Sequence, residues 1–165
     1  MLPSASHMTS TAHTSPTVDD YASHRLVTIE SDTSAFEIAN KMLELNVSAV
    51  VIMDSGRHVG ILTERDLTRQ VVAKDSLPSK TPATAIMSAP LVTISKDATI
   101  ETAAATMIRK AVRHLAVQDG DIIIGMMTGT DLFKYVKDST LARKVISPSV
   151  LEVLYSAEEP TEEHL

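Results

Sequence analysis

The stretch Gly60-Ile61-Leu62-Thr63-Glu64-Arg65-Asp66-Leu67 returns as Gly125-Met126-Met127-Thr128-Gly129-Thr130-Asp131-Leu132, 131 − 66 = 65 positions later. The same offset runs without a gap from Leu26 to Val136. It carries Leu26-Val27-Thr28-Ile29 onto Leu91-Val92-Thr93-Ile94, Asp32 onto Asp97, Ala39 onto Ala104, Met42 onto Met107 and Asp54 onto Asp119. A doubled unit of this length constrains the fold more than any composition does. Each copy is too short to bury its apolar surface comfortably alone, so the two are expected to pack on each other.

Inside one copy the order of elements follows from periodicity and turn chemistry. Residues 26–29 read as a strand, and Ser31-Asp32-Thr33-Ser34 offers capping oxygens for a helix over 35–45. Phe36, Ala39, Met42 and Leu43 keep helical spacing on it. The β-branched run 47–53, the turn Asp54-Ser55-Gly56 and the run 59–62 read as a hairpin, and a helix follows from Glu64 to about residue 73. The second copy repeats this with strands at 91–94, 114–118 and 122–127 and helices at 99–110 and 132–137. Each unit is therefore β-α-β-β-α, an α+β class. We divide the chain into a disordered Ser/Thr/Pro-rich segment 1–20, a first repeat 21–75, a second repeat 76–139, and a helical stretch with an acidic tail over 140–165. The pair His7-Met8 reads equally as a vector-derived junction with Met8 as the natural start.

Composition excludes several classes. The 165 residues are 44% hydrophobic but only 3% aromatic, so the core must be built of Val, Ile, Leu, Ala and Met. A net charge of −6 and the absence of tryptophan give neither a basic field nor a stacking platform, which argues against nucleic acid. There are no cysteines, hence no disulfides or thiolate metal sites. The six histidines form no i, i+4 pair, and no metal is expected. Neither a secretory signal nor an apolar run of about 18 residues is present, and the reading is a cytoplasmic protein with no membrane partner.

Thr63-x-x-Asp66 and Thr128-x-x-Asp131 each stand where a strand turns into a helix. Taken singly the pattern is a capping box, in which hydroxyl and carboxylate satisfy orphan N–H groups. The same place can also receive an anion. The order of the doubled units, together with Ala85-Ile86-Met87-Ser88-Ala89-Pro90-Leu91-Val92-Thr93-Ile94 before the second, resembles a tandem pair of CBS domains, a Bateman module. The resemblance covers about residues 21–139. It implies two sheets facing one another about a pseudo-twofold axis with two clefts between them. It also implies an adenosine ligand (AMP, ADP or ATP rather than S-adenosylmethionine) that regulates a protein partner.

Residue chemistry accords with that implication. An aspartate offers two acceptor oxygens to the paired ribose hydroxyls, and an aliphatic wall suits a purine. We expect the tighter cleft to be built from Thr84, Ile86 and Met87 for the base, Asp131 for the ribose, and Thr128, Thr130, Arg113 and His114 for phosphate, with Ala116 in its wall. The weaker one takes Ala49, Thr63, Arg65 and Asp66, because Ser48-Ala49 stand where the second repeat has Arg113-His114. No residue remains for a nucleophile with its base or for a phosphate-cradling glycine loop, so no enzyme activity and no required cofactor is expected. The alternative is a structural interaction module in which both Thr-Asp pairs are only caps. Apolar positions Leu67, Val71, Leu132 and Val136 are expected to leave a face for a homodimer, with the stretch 141–155 contributing.

Overall fold

The computed structural model describes residues 15–139. The first repeat contains β1 (Thr28–Glu30), α1 (Ala35–Leu45), β2 (Ala49–Asp54) and β3 (Arg57–Thr63), then a helical segment that begins as α2 (Glu64–Asp66) and widens to a π-type turn at Leu67–Val71. A 3-10 turn (Pro78–Lys80) and α3 (Ala83–Ile86) lead to β4 (Thr93–Ser95), α4 (Ile100–Lys110), β5 (His114–Asp119), β6 (Ile122–Thr128) and α5 (Gly129–Asp138). The 65-residue offset survives to the residue: β1 maps on β4, α1 on α4, β2 on β5 and β3 on β6. Each repeat forms its own three-stranded sheet, β1-β2-β3 and β4-β5-β6, with a parallel first pair and an antiparallel hairpin. Even the hairpin irregularity recurs, at Ile52/Met53 and at Val117/Gln118.

The helices form where expected because their caps are present. Ser34 accepts from the Glu37 N–H while Glu37 reaches back to Ser34, and Thr99 accepts from the Thr102 N–H. The buried face of α1 is Ala35, Ile38 and Met42, and that of α4 is Ile100, Ala103 and Met107. Both helical methionines therefore fill cores as expected, whereas Phe36 and Leu43 turn outward at 55% and 82% exposure. Val71 is also buried, which removes it from the outer face it was expected to supply.

Two cores result. Val50, Ile52 and Leu62 of the first sheet pack with α1 and Val71, and Leu115, Val117 and Met127 pack with α4. Strand side chains alternate between faces. Val51 and Ala116, which point away from these cores, are fully buried as well.

The repeats also exchange their leading segments. Ala83 and Ile86, which precede the second repeat, belong to the first core, and Ser88 bridges to Ile61 on β3. Val18, which precedes the first repeat, is fully buried in the second core, and Ser23 bridges to Met126 on β6. Ala35 N–H donates to the Thr81 carbonyl and Ala83 N–H to the Thr33 carbonyl, while Val18 N–H donates to the Ala98 carbonyl. Two expectations change accordingly. Disorder does not extend to residue 20, and the residues that open each repeat in sequence are built into the other. The stretch 141–155 lies outside the described residues.

Candidate functional site

At the end of each hairpin the threonine and aspartate lock together. Thr63 donates its N–H and its hydroxyl to Asp66 Oδ2 at 2.8 and 2.7 Å, and the Asp66 N–H returns to Thr63 Oγ1 at 3.3 Å. Thr128 and Asp131 repeat this at 2.8, 2.7 and 3.4 Å. The next N–H in each copy is also engaged, Glu64 with the Ser48 carbonyl and Gly129 with the Arg113 carbonyl. Both caps anticipated in the sequence therefore exist. They use the hydroxyl proton and most of the N–H groups that had been assigned to phosphate, so an anion here must be met by cationic side chains.

The two carboxylates differ in what is left over. Asp131 is 4% exposed, and its Oδ1 accepts from Lys134 Nζ at 3.2 Å, so both its oxygens are taken. Asp66 is half-buried, and among the described residues its Oδ1 has no partner.

Asp66 lines a cavity of about 510 Å³ built from both repeats. Ser48, Ile61, Thr63, Arg65 and Arg69 come from the first repeat, Lys110, Arg113 and His114 from the second, and Ser88, Ala89 and Pro90 from the exchanged segment between them. The expected grouping is thus redrawn. Arg113 and His114 line the cavity of Thr63 and Asp66, and Asp131 also acts on the His114 imidazole. Thr84, Ile86 and Met87 pack on the first repeat, with Ile86 in its core and Met87 against it; the Thr84 N–H donates to the Ser31 carbonyl. Ala116 is wholly buried, Thr130 is exposed and Ala49 pairs with Thr63 across the hairpin.

Lys110, Arg69, Ser88 and Pro90 were not singled out from sequence. Ser88 and Pro90 lie in the segment 85–94 before the second repeat, but nothing in a sequence says which copy that segment folds onto. At the offset of 65, Lys110 corresponds to Leu45, Arg113 to Ser48, His114 to Ala49 and Arg65 to Thr130. Arg65, Lys110, Arg113 and His114 are therefore particular to this cavity, whereas Arg69 has a cationic counterpart in Lys134. Among the described residues Arg65, Arg69, Lys110 and Arg113 form no ion pair, although the chain carries an excess of acidic groups. Burial holds the His114 imidazole below its ordinary range of about 6.5, Arg113 and Arg65 reinforce that, and Asp66 and Asp131 oppose it.

No group of three or more potential metal-binding side chains is present among the described residues, and no described helix is long and apolar enough to cross a membrane.

The chain matches the CBS domain twice, over residues 18–73 and 83–138. An uncharacterized protein of Methanopyrus kandleri, MK0525, is 34% identical over 122 residues; the match covers 73% of this chain and 62% of that protein's length. The CBS domain-containing protein YhcV of Bacillus subtilis is 27% identical over 115 residues, covering 70% of this chain and 81% of YhcV. Among solved structures, an uncharacterized conserved protein from Pyrococcus horikoshii superposes with a TM-score of 0.68 at 25% identity, covering 74% of this chain and 93% of that one. Two matched domains, two repeats of one topology and the cleft they share identify the chain as a tandem CBS-domain pair, a member of a family of regulatory modules.

Proposed function

We propose that this CBS pair is a ligand-sensing module that binds an adenosine-containing anion, AMP, ADP or ATP, in the cavity between its repeats, and acts through a partner rather than by catalysis. The observation that carries this reading is that, among the described residues, Asp66 Oδ1 has no partner on the wall of a cavity rimmed by four cations that form no ion pair. A carboxylate held by its own cap presents its second oxygen to ribose hydroxyls at no further ordering cost. Ile61, Val92 and Val112 supply apolar wall for a purine. The cationic sulfonium of S-adenosylmethionine is poorly matched to this rim. A chain without cysteine suits the cytoplasm as the place of action.

The order of the two clefts follows from the carboxylates and reverses the one read from sequence: the Asp66 side is the tighter. Calorimetric titration of AMP, ADP and ATP into wild type, Asp66→Asn and Asp131→Asn tests this. Asparagine still caps the helix, so the loss in Asp66→Asn reports the ligand contact. We expect at least about a tenfold weakening there, the equivalent of one charge-assisted hydrogen bond, and little change in Asp131→Asn. Loss confined to Asp131→Asn would overturn the assignment.

A second reading, self-association, is favoured by a different observation. Ala104, Ile108, Leu132, Phe133 and Val136 line an apolar groove of about 630 Å³ on the outer face of α4 and α5, with Ile108 81% and Phe133 57% exposed. A second copy of the chain is the natural cover for such a face. The two readings are compatible, since a dimer can carry the ligand signal.

A further inference from the structure

His114 is the one cavity-lining group whose charge changes near neutrality, and its surroundings are set by both repeats. The residue just before its strand is Arg113, the segment after β3 supplies Arg65 and Asp66, α5 supplies Asp131, and Glu64, Arg69 and Lys110 share the cavity wall. Among the described residues the imidazole has no hydrogen-bond partner, so its ring nitrogens are available to whatever occupies the cavity. The matching residue of the first repeat is Ala49, so the opposite cleft lacks the device.

We infer that His114 makes occupancy of this cavity proton-linked: an anionic ligand enters together with a proton that is bound by the imidazole. The inference rests on the functional reading above and adds its regulation. In the empty cavity two arginines and burial oppose a third positive charge at this point. A phosphate placed among those arginines neutralises them and presents oxygens to the ring, which reverses the balance and favours the imidazolium. Whatever raises the proton affinity of one bound state must, by linkage, tighten ligand binding as pH falls. Each unit by which the ligand raises the imidazole pKa corresponds to about a tenfold gain in affinity between neutral and acidic pH.

The test is calorimetry of ADP binding at pH 8.0, 7.0 and 6.0 in buffers of different ionisation enthalpy, on wild type, His114→Gln and His114→Lys. The terminal phosphate of ADP also titrates in this range, and subtracting the variants removes its contribution. Wild type is expected to take up more protons than His114→Gln near pH 7, by a substantial fraction of one. Relative to that variant, it should gain at least about threefold in affinity between pH 8.0 and 6.0. His114→Lys, charged throughout, is expected to bind with the glutamine variant's pH dependence but more tightly at pH 8.0. Equal proton uptake in wild type and His114→Gln would overturn this inference alone. Absence of binding by wild type to ADP, AMP or ATP at every pH would instead overturn the functional reading beneath it.

Discussion

Ala111 ends α4 in the left-handed region, at φ 53°, where a Cβ is crowded by the following carbonyl. Its counterpart Asn46 ends α1 at φ 50°, a conformation asparagine tolerates. Ala111→Gly is expected to stabilise the fold by about 0.5–1 kcal/mol, the relief of strain less the added freedom of the unfolded chain, as read from urea midpoints. A loss of stability would show that the methyl packs usefully on the cavity it lines. His114 gives a second prediction at this scale. Its folded pKa is lowered, so below about 6.5 the unfolded chain binds more protons than the folded one. The ligand-free protein should therefore keep the full His114 contribution above that value and lose it as pH falls through the folded pKa, and His114→Gln should flatten that part of the pH–stability curve. Single residues were the most legible level. Both Thr-Asp pairs were identifiable from spacing, because a cap is a local bond between residues three apart. That Asp131 would lose its second oxygen to Lys134 was legible only as the spacing of two charges on one helix, and the matching absence at Asp66 was not visible at all.

The exchanged segments decide what the repeated glycine is for. A Cβ at Gly60 would stand 2.7 Å from the Ser88 carbonyl oxygen and 2.9 Å from Met87 Sδ, and one at Gly125 would strike the Ser23 carbonyl oxygen. Backbone cannot yield as a flexible side chain can, so Gly60→Ala and Gly125→Ala are each expected to cost about 1–3 kcal/mol. Gly129→Ala, with open space around the added methyl in the first turn of α5, should be neutral or mildly stabilising. Chemical denaturation of the three variants checks this, and a loss in Gly129→Ala as large as in the other two would break the argument. The strands and long helices were readable to within three residues, because β-branched runs, caps and turns act locally. The short α3 and the turn at Val18 were not, because their burial is conferred by another part of the chain. Internal similarity reports that two segments are alike. It is silent on whether each packs on its own repeat or on its twin, since the contacts are chemically the same either way, and that ambiguity is why the cavity that Arg113 and His114 share with Asp66 was not legible.

For the molecule as a whole, the outer helical faces are the surface left to explain. Phe36 and Leu43 on α1, Ile108 on α4 and Phe133 on α5 are all more than half exposed in the single chain. We expect light scattering at tens of micromolar to give twice the chain mass of 17.8 kDa. The double variant Ile108→Ser, Phe133→Ser should shift the population toward single chains while leaving the circular dichroism spectrum intact. A wild-type mass of one chain would remove the self-association reading. The exchange of leading segments also sets the order in which the molecule can be completed during synthesis. Val18 finds its cover among Ile100, Leu115 and Met127, and Ser23 its bridge at Met126. At roughly 5–20 residues per second the ribosome holds the start of the chain without its final neighbours for several seconds. The first core, although made first, cannot close before residues 83–87 have emerged, and a chain broken off after residue 80 would lack both Ala83 and Ile86 from the core it had begun.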